Sequence, residues 1–157
     1  MNILSRSPEE TLRLGEKVGE RLIDGMIIAL EGDLGGGKTT FTKGLAKGLG
    51  IKEDITSPSF TLERIYKIPS KQTTNDKRQT TLYHFDFYRI DNPKDMVSYE
   101  LTEALEDQKG IVVIEWAEKI EAELPKEKLI VKFKYIDENT RKIVLKSFGE
   151  RYKELQN

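Results

Sequence analysis

The run Gly32-Asp33-Leu34-Gly35-Gly36-Gly37-Lys38-Thr39 carries the strongest chemical signal in the chain, because it satisfies G-x-x-x-x-G-K-[ST]. Each part of that pattern has a physical purpose. Glycines let the backbone turn tightly and aim its N–H groups at phosphate oxygens. A helix that starts where the loop ends adds its positive N-terminal end. Lys38 is placed to reach β- and γ-phosphates, and the Thr39 hydroxyl to ligate Mg²⁺. At ordinary glycine usage a chance match in a chain this size is about one in a few hundred. The plain alternative is a glycine-rich turn that happens to precede a lysine.

A phosphate loop of this kind needs a carboxylate at the end of a neighbouring strand. Ile111-Val112-Val113-Ile114-Glu115 fits, an apolar strand ending in an acid. Glu115 stands where aspartate is more usual, and its extra methylene allows it to hold the metal through water or to polarise the attacking water. The plain alternative is an acid at the start of a helix after a core strand. The second acidic candidate is His84-Phe85-Asp86-Phe87-Tyr88-Arg89. Strand period two puts His84, Asp86 and Tyr88 on one face and the two phenylalanines on the other. A polar row facing a catalytic crevice would explain that split; an ordinary half-exposed strand would as well. Asp86 suits water orientation or metal binding through water, and Arg89 suits phosphate or a surface acid. Thr56-Ser57-Pro58-Ser59-Phe60 follows the loop's helix, where hydroxyls that sense a γ-phosphate tend to lie.

These residues need elements to hold them. Met26–Leu30 reads as a strand buried on both faces, and a helix is expected from Lys38 to Leu49 with Gly50 as its stop. Upstream, 7–22 reads as an amphipathic helix with Ser7 as N-cap, Pro8 at the first position and Glu10 completing a capping box. Strands are expected over 60–68, 81–88 and 111–114, a helix over 93–107, and two further strands over 128–136 and 141–148 around an Asp137-Glu138-Asn139 turn. Residues 69–80 read as a mobile hairpin tip or insertion. The alternation predicts one α/β domain over 1–157, with a partly parallel sheet and the C-terminal pair adding antiparallel strands at one edge.

Composition narrows the chemistry. Lys plus Arg is 26 and Asp plus Glu is 27, so the formal charge of -1 argues against a basic coat over the whole surface. No cysteine and a single histidine exclude disulfide scaffolds, thiol nucleophiles and His-rich metal sites. No apolar run approaches the roughly 18 residues a membrane span requires. A cytoplasmic location is the expectation.

Four stretches taken together resemble the bacterial TsaE (YjeE) family, the ATPase component of tRNA threonylcarbamoyladenosine biosynthesis. They are Gly32 to Phe41, Thr56 to Phe60, His84-x-Asp86-x-Tyr88-Arg89 and Glu115-Trp116. The resemblance implies a P-loop NTPase fold with a parallel core sheet flanked by antiparallel strands and helices. It implies ATP and Mg²⁺, slow hydrolysis by the isolated subunit, and docking to TsaD and TsaB, with tRNA met indirectly through that complex and no membrane. Carried over by position, Lys38 and Thr39 act on phosphate and Mg²⁺. Glu115 becomes the second acid on the metal side, Asp86 a catalytic or water-positioning acid, and Thr56 to Phe60 the switch. Asp33, Gly35, Gly36, Gly37 and Thr40 complete the nucleotide-binding loop, and Ser7 to Thr11 form the adenine pocket. Trp116 is expected near the nucleotide or in the core. Gly36 replaces the family's usual alanine, a change expected to be harmless, and 69–80 is longer than usual.

Other readings compete. A GTPase would carry Asn-Lys-x-Asp, which is absent. A small-molecule kinase shares the loop but wants an arginine-rich lid, and Arg64, Arg78 and Arg89 form none in sequence. A nucleotide-gated binding module would depend on ATP binding only, so Glu115→Ala and Asp86→Ala would remove hydrolysis without removing its function.

Overall fold

The apolar run Met26–Leu30 leads into and forms the first part of β2 (Ile27–Gly32), whose first five residues are buried. Period two sends Ile28 and Leu30 to one side of the sheet and Ile27 and Ala29 to the other, and each pair enters a separate core cluster. A strand of this kind needs helices on both faces. The structure is a computed structural model that describes residues 1–58, 60–69, 80–91 and 99–156.

Around β2 stand β1 (Asn2–Ser5), β3 (Glu63–Lys67), β4 (Thr81–Asp86), β5 (Gly110–Glu115), β6 (Lys128–Tyr135) and β7 (Arg141–Phe148). The sheet runs β1-β7-β6-β2-β5-β4-β3. β6, β2, β5 and β4 are parallel, and β1, β7 and β3 are antiparallel to their neighbours. The C-terminal pair therefore does not form an edge by itself. β6 enters the parallel core, and β1 covers the outer side of β7.

Helices α1 (Pro8–Gly19) and α2 (Lys38–Gly48) cover one face through Val18, Phe41 and Leu45. Helix α3 (Tyr99–Glu106) and a 3₁₀ turn at Ala117–Glu123 cover the other through Leu101, Ala104 and Ile120. A second 3₁₀ segment, Glu150–Gln156, seats Tyr152 and Leu155 in the first cluster. Helix α1 starts as its sequence requires, with Ser7 Oγ accepting the Glu10 amide at 3.2 Å. The Glu10 carboxylate accepts from the Arg6 amide at 2.7 Å instead of the Ser7 amide, so the capping box closes one residue early.

Helices α1 and α2 touch backbone to backbone. A Cβ on Gly15 would lie 2.3 Å from the Phe41 carbonyl oxygen, and one on Gly44 would lie 2.1 Å from that of Leu12. Gly19 and Gly48 meet carbonyls at 2.3 and 2.2 Å. Glycine inside a helix costs about 1 kcal/mol against alanine. Here four glycines permit an approach that no side chain would.

Several elements are shorter than their sequence pattern. The strand expected at 60–68 begins only at Glu63, because Thr61 and Leu62 amides fold back onto the Pro58 carbonyl at 3.1 and 2.8 Å. The strand expected to reach 88 stops at Asp86, whose Oδ1 accepts the Tyr88 amide at 2.9 Å. The helix expected over 7–22 ends at Gly19, and that expected over 93–107 is described only from Tyr99. Most of the 69–80 insertion lies outside the described residues.

Tyr83 ties β4 to the end of α3, donating from its hydroxyl to Asp107 Oδ2 at 2.8 Å. Burial, then the Asp107 hydrogen bond, pushes the Tyr83 phenol from 10.0 up to about 12. The native state thus holds this proton more tightly than the unfolded chain does. The resulting stability is complete below pH 10 and is lost as pH rises from there toward about 12. Tyr83→Phe should cost about 1–2 kcal/mol at neutral pH. Urea melts of both proteins at rising alkaline pH should show the difference shrinking across that window.

Candidate nucleotide site

At the C-terminal end of β2 the chain turns through the glycine-rich loop into α2. Gly37 is the N-cap residue at φ +100°, a left-handed geometry that side-chain-bearing residues avoid. Thr11 on α1 closes against it, its Cγ2 being 3.4 Å from where a Gly37 Cβ would stand. A Cβ on Gly36 would sit 2.8 Å from the Asp33 carbonyl oxygen and 3.0 Å from Phe133 Cβ. In this loop, then, glycine at 36 fits a gap that alanine would have to widen, contrary to the expectation that the exchange is harmless.

Lys38 is held inside the loop. Its Nζ donates to the Gly32 and Asp33 carbonyls at 2.6 and 2.8 Å and sits 3.9 Å from the centre of the Trp116 ring. Burial pushes the ammonium below its ordinary pKa, while the carboxylates of Glu118, Glu115, Asp86 and Asp33 pull it back up. A buried cation facing four acids suits a site that receives polyphosphate with a divalent ion.

The two predicted acids meet at the same level of the sheet, since Asp86 at the end of β4 is in register with Glu115 at the end of β5. Both are buried, at 5% and 2% exposure. Glu115 Oε2 accepts the Thr39 hydroxyl at 2.9 Å. Its Oε1 meets His84 Nε2 at 2.9 Å and the Thr42 hydroxyl at 3.4 Å. The carboxylate accepts, so Nε2 carries the hydrogen. His84 Nδ1 is left buried with no partner among the described residues. Asp86 Oδ2 accepts the Ser57 hydroxyl, which fastens the expected switch segment to β4. His84 and Asp86 share a face as period two requires, but that face is buried, so the half-exposed strand is excluded. Tyr88 has left the strand and packs on Trp116 with ring centres 5.1 Å apart.

These groups line a cleft of about 400 Å³ between the loop and the ends of β4 and β5. Gly35 to Thr40, Asp86, Glu115, Trp116 and Arg89 face it. Arg89 also lies over the Phe60 ring at 4.4 Å. A smaller cavity of about 80 Å³ flanks the loop's other side, lined by Ser7, Thr11, Thr40 and Arg141. The Asp33 side chain lies outside the cleft lining, accepting the Tyr135 amide through Oδ2 at 3.2 Å. Ser59 and Arg78 lie outside the described residues.

Three supporting residues escaped the sequence reading. Thr42 stands three positions after Thr39, so helical spacing alone puts it on the same face. Lys119 donates to the Tyr88 and Ile90 carbonyls at 2.8 and 3.2 Å, fixing the segment after β4. Arg141 reaches from β7 to the Gly35 carbonyl at 2.8 Å. Neither of the last two has a local sequence signal.

The oxygen donors fit a magnesium ion. The Thr39 hydroxyl and Glu115 carboxylate already meet, with Asp86 on the next strand. The described residues hold no group of three His, Cys, Asp or Glu side chains that could cage a metal unaided. Mg²⁺ is usually bound by one or two carboxylates and completes its octahedron with water and phosphate oxygens.

The family model described as threonylcarbamoyl adenosine biosynthesis protein TsaE matches residues 5–143. The tRNA threonylcarbamoyladenosine biosynthesis protein TsaE of Treponema pallidum is 38% identical over 145 residues, covering 92% of this chain and 99% of that protein. The Nostoc protein of the same name is 41% identical over 144 residues, covering 90% and 82%. In the crystal structure of Bacillus subtilis YdiB, a chain 34% identical superposes with a TM-score of 0.77, covering 99% of this chain and 90% of that one. With a parallel core sheet, a phosphate loop between β2 and α2, and this kinship along nearly its whole length, the chain belongs to the TsaE family and has a P-loop nucleotide-binding fold.

Proposed function

We propose that this chain, as one P-loop unit over 1–157, is a Mg²⁺-dependent ATPase subunit that supports turnover of the complex forming threonylcarbamoyladenosine on tRNA. The observation that carries the reading is the convergence of Lys38, Thr39, Glu115 and Asp86 on one cleft. Loop amides and Lys38 bind the phosphates and stabilise charge on the transferring phosphoryl group. Thr39 and Glu115 are the residues that would hold Mg²⁺, which when bound neutralises charge on the β- and γ-phosphates. Asp86, tied to Ser57, orients the attacking water. The smaller cavity by Ser7, Thr11 and Arg141 takes the base and ribose. No arginine finger is built into the described cleft beyond Arg89, which is engaged with Phe60. The isolated chain is therefore slow, and docking of TsaD and TsaB raises its rate by ordering the switch. The protein meets tRNA through that complex, in the cytoplasm.

The test is Mg²⁺-ATP hydrolysis by the chain alone and with purified TsaD–TsaB, with GTP as control. Slow ATP turnover that rises with the partners is expected. Equal turnover in both conditions would detach the chain from that complex. Transfer of labelled phosphate to anything but water would make it a kinase.

A further inference from the structure

The 8 residues of β6 and the 8 of β7 carry Lys128, Lys132, Lys134, Arg141, Lys142 and Lys146, and no acid. In a chain of formal charge -1 this is a strong local asymmetry. Leu129, Val131, Phe133, Ile143 and Leu145 fill the core on the α1–α2 side. Period two therefore places Lys132, Lys134, Lys142 and Lys146 together on the opposite side. All four are exposed, so no described helix covers them. Lys132 pairs with Glu31 at 2.8 Å, and Lys134, Lys142 and Lys146 have no acidic partner among the described residues. Lys134 and Lys142 are directly opposite each other in the strand pairing. Like charges in that position repel and destabilise a sheet. Among the described residues the acids on this side, Glu31, Glu118 and Glu121, act on Lys132, and none pairs with Lys134 or Lys142.

We infer that this sheet face is a docking surface for the phosphate backbone of RNA. Lys132 and Lys134 are about 7 Å apart along β6, Lys142 is about 5 Å from Lys134 across the strand pair, and Lys146 stands four residues farther along β7, so the lysines form a flat array of point charges. Such an array neutralises successive phosphates without reading bases. An acidic protein partner fits less well. A protein interface wants an apolar centre; here the exposed apolar residues, Leu4 on the edge strand β1 and Phe148 at the end of β7, stand at the margin, and the lysines surround only a half-buried Val144. The choice of RNA rests on the tRNA-directed role proposed above, to which it adds a direct contact. The face also adjoins the cleft's supports. The same strands send the Tyr135 amide to Asp33 and the Arg141 guanidinium to Gly35.

The experiment is a titration of a labelled, unmodified tRNA transcript with the full chain, read by fluorescence anisotropy over a range of salt. Three phosphate contacts, from the lysines without an acidic partner, predict a slope of log K against log salt of about -2 to -3, with dissociation constants near 10⁻⁴–10⁻⁶ M at physiological salt. Lys134→Glu with Lys142→Glu should weaken binding about tenfold or more and make the slope shallower by about 2. Lys52→Glu with Lys67→Glu, exposed elsewhere, makes the same change in net charge and should leave affinity nearly unaltered. Lys142→Glu alone should raise the melting temperature while weakening RNA, which a merely solvated face would not do. If the double reversal does not fold, the corresponding glutamines serve. Three results would overturn the inference: no salt-dependent binding, equal loss in both double variants, or binding of polyglutamate in place of tRNA. ATP turnover is read in the same samples. Lost turnover with intact tRNA binding would count against the ATPase reading alone.

Discussion

Glu115→Gln should lower ATP turnover by about 10²–10³-fold, the scale seen when one group that stabilises transition-state charge is removed. The carboxylate does two things at once. Its Oε2 meets the Thr39 hydroxyl at the position proposed for the metal, and its Oε1 is fixed by His84 at 2.9 Å. The amide keeps the shape but loses the charge that would hold Mg²⁺. Its NH₂ must face either His84 Nε2–H, a donor, or the Thr39 hydroxyl, which has to rotate from donating to accepting, and the loss of charge-assisted hydrogen bonds should cost about 1 kcal/mol. Two measurements separate these effects. The Mg²⁺ concentration for half-maximal turnover should rise steeply, and the melting temperature should fall modestly. Unchanged turnover together with an unchanged Mg²⁺ requirement would remove Glu115 from the mechanism and leave it a structural partner of His84.

Lys38→Ala should reduce kcat/KM for ATP by about 10²–10³-fold as well, through lost phosphate binding. The route is visible in the structure. In the described geometry Lys38 donates to two loop carbonyls and lies against Trp116. An incoming phosphate must compete for that ammonium. Trp116 is the only tryptophan, so its emission reports the environment of Lys38 directly. Nucleotide should change the emission of the unaltered chain and leave that of Lys38→Ala flat. Removing the charge also lets Trp116 settle without a cation–π contact worth about 1–2 kcal/mol when desolvated. A nucleotide affinity unchanged by the substitution would refute the phosphate-loop assignment.

Much of this site was legible because its residues lie at ends of strongly patterned elements. The apolar run Met26–Leu30 announced a doubly buried strand and Ile111–Ile114 an apolar strand ending in an acid, and the topology then had to bring Gly32, Glu115 and Asp86 to one edge. β1 was not legible: Asn2-Ile3-Leu4-Ser5 is too short to show a period, and its pairing with β7 depends on residues far along the chain. The shortfall of the strand at 60–68 has the same character. A fold-back onto Pro58 overrides the local alternation. Residues that brace the cleft from a distance, such as Lys119 and Arg141, act through backbone carbonyls, so no complementary side chain marks them in the sequence. His84 shows the limit from the other side. Its type and face could be read, but its choice of Glu115 over Asp86 is set by strand register.

The glycines between α1 and α2 have a mechanical consequence. With carbonyls of one helix pressed into the missing side chains of the other, neither can slide or tilt alone. Their amides should exchange with solvent as one cooperative unit. Thr11 rides on the first helix, Lys38 and Thr39 on the second, and both therefore belong to a single stiff block. A nucleotide lying along the loop would be gripped over most of its length by that block. Only its outermost phosphate would reach across to Asp86 and Ser57, which belong to β4 and the segment before β3. Cleaving that phosphate would remove the contact with the Ser57 segment while leaving the grip of the block intact, so a diphosphate would occupy the loop without touching that segment.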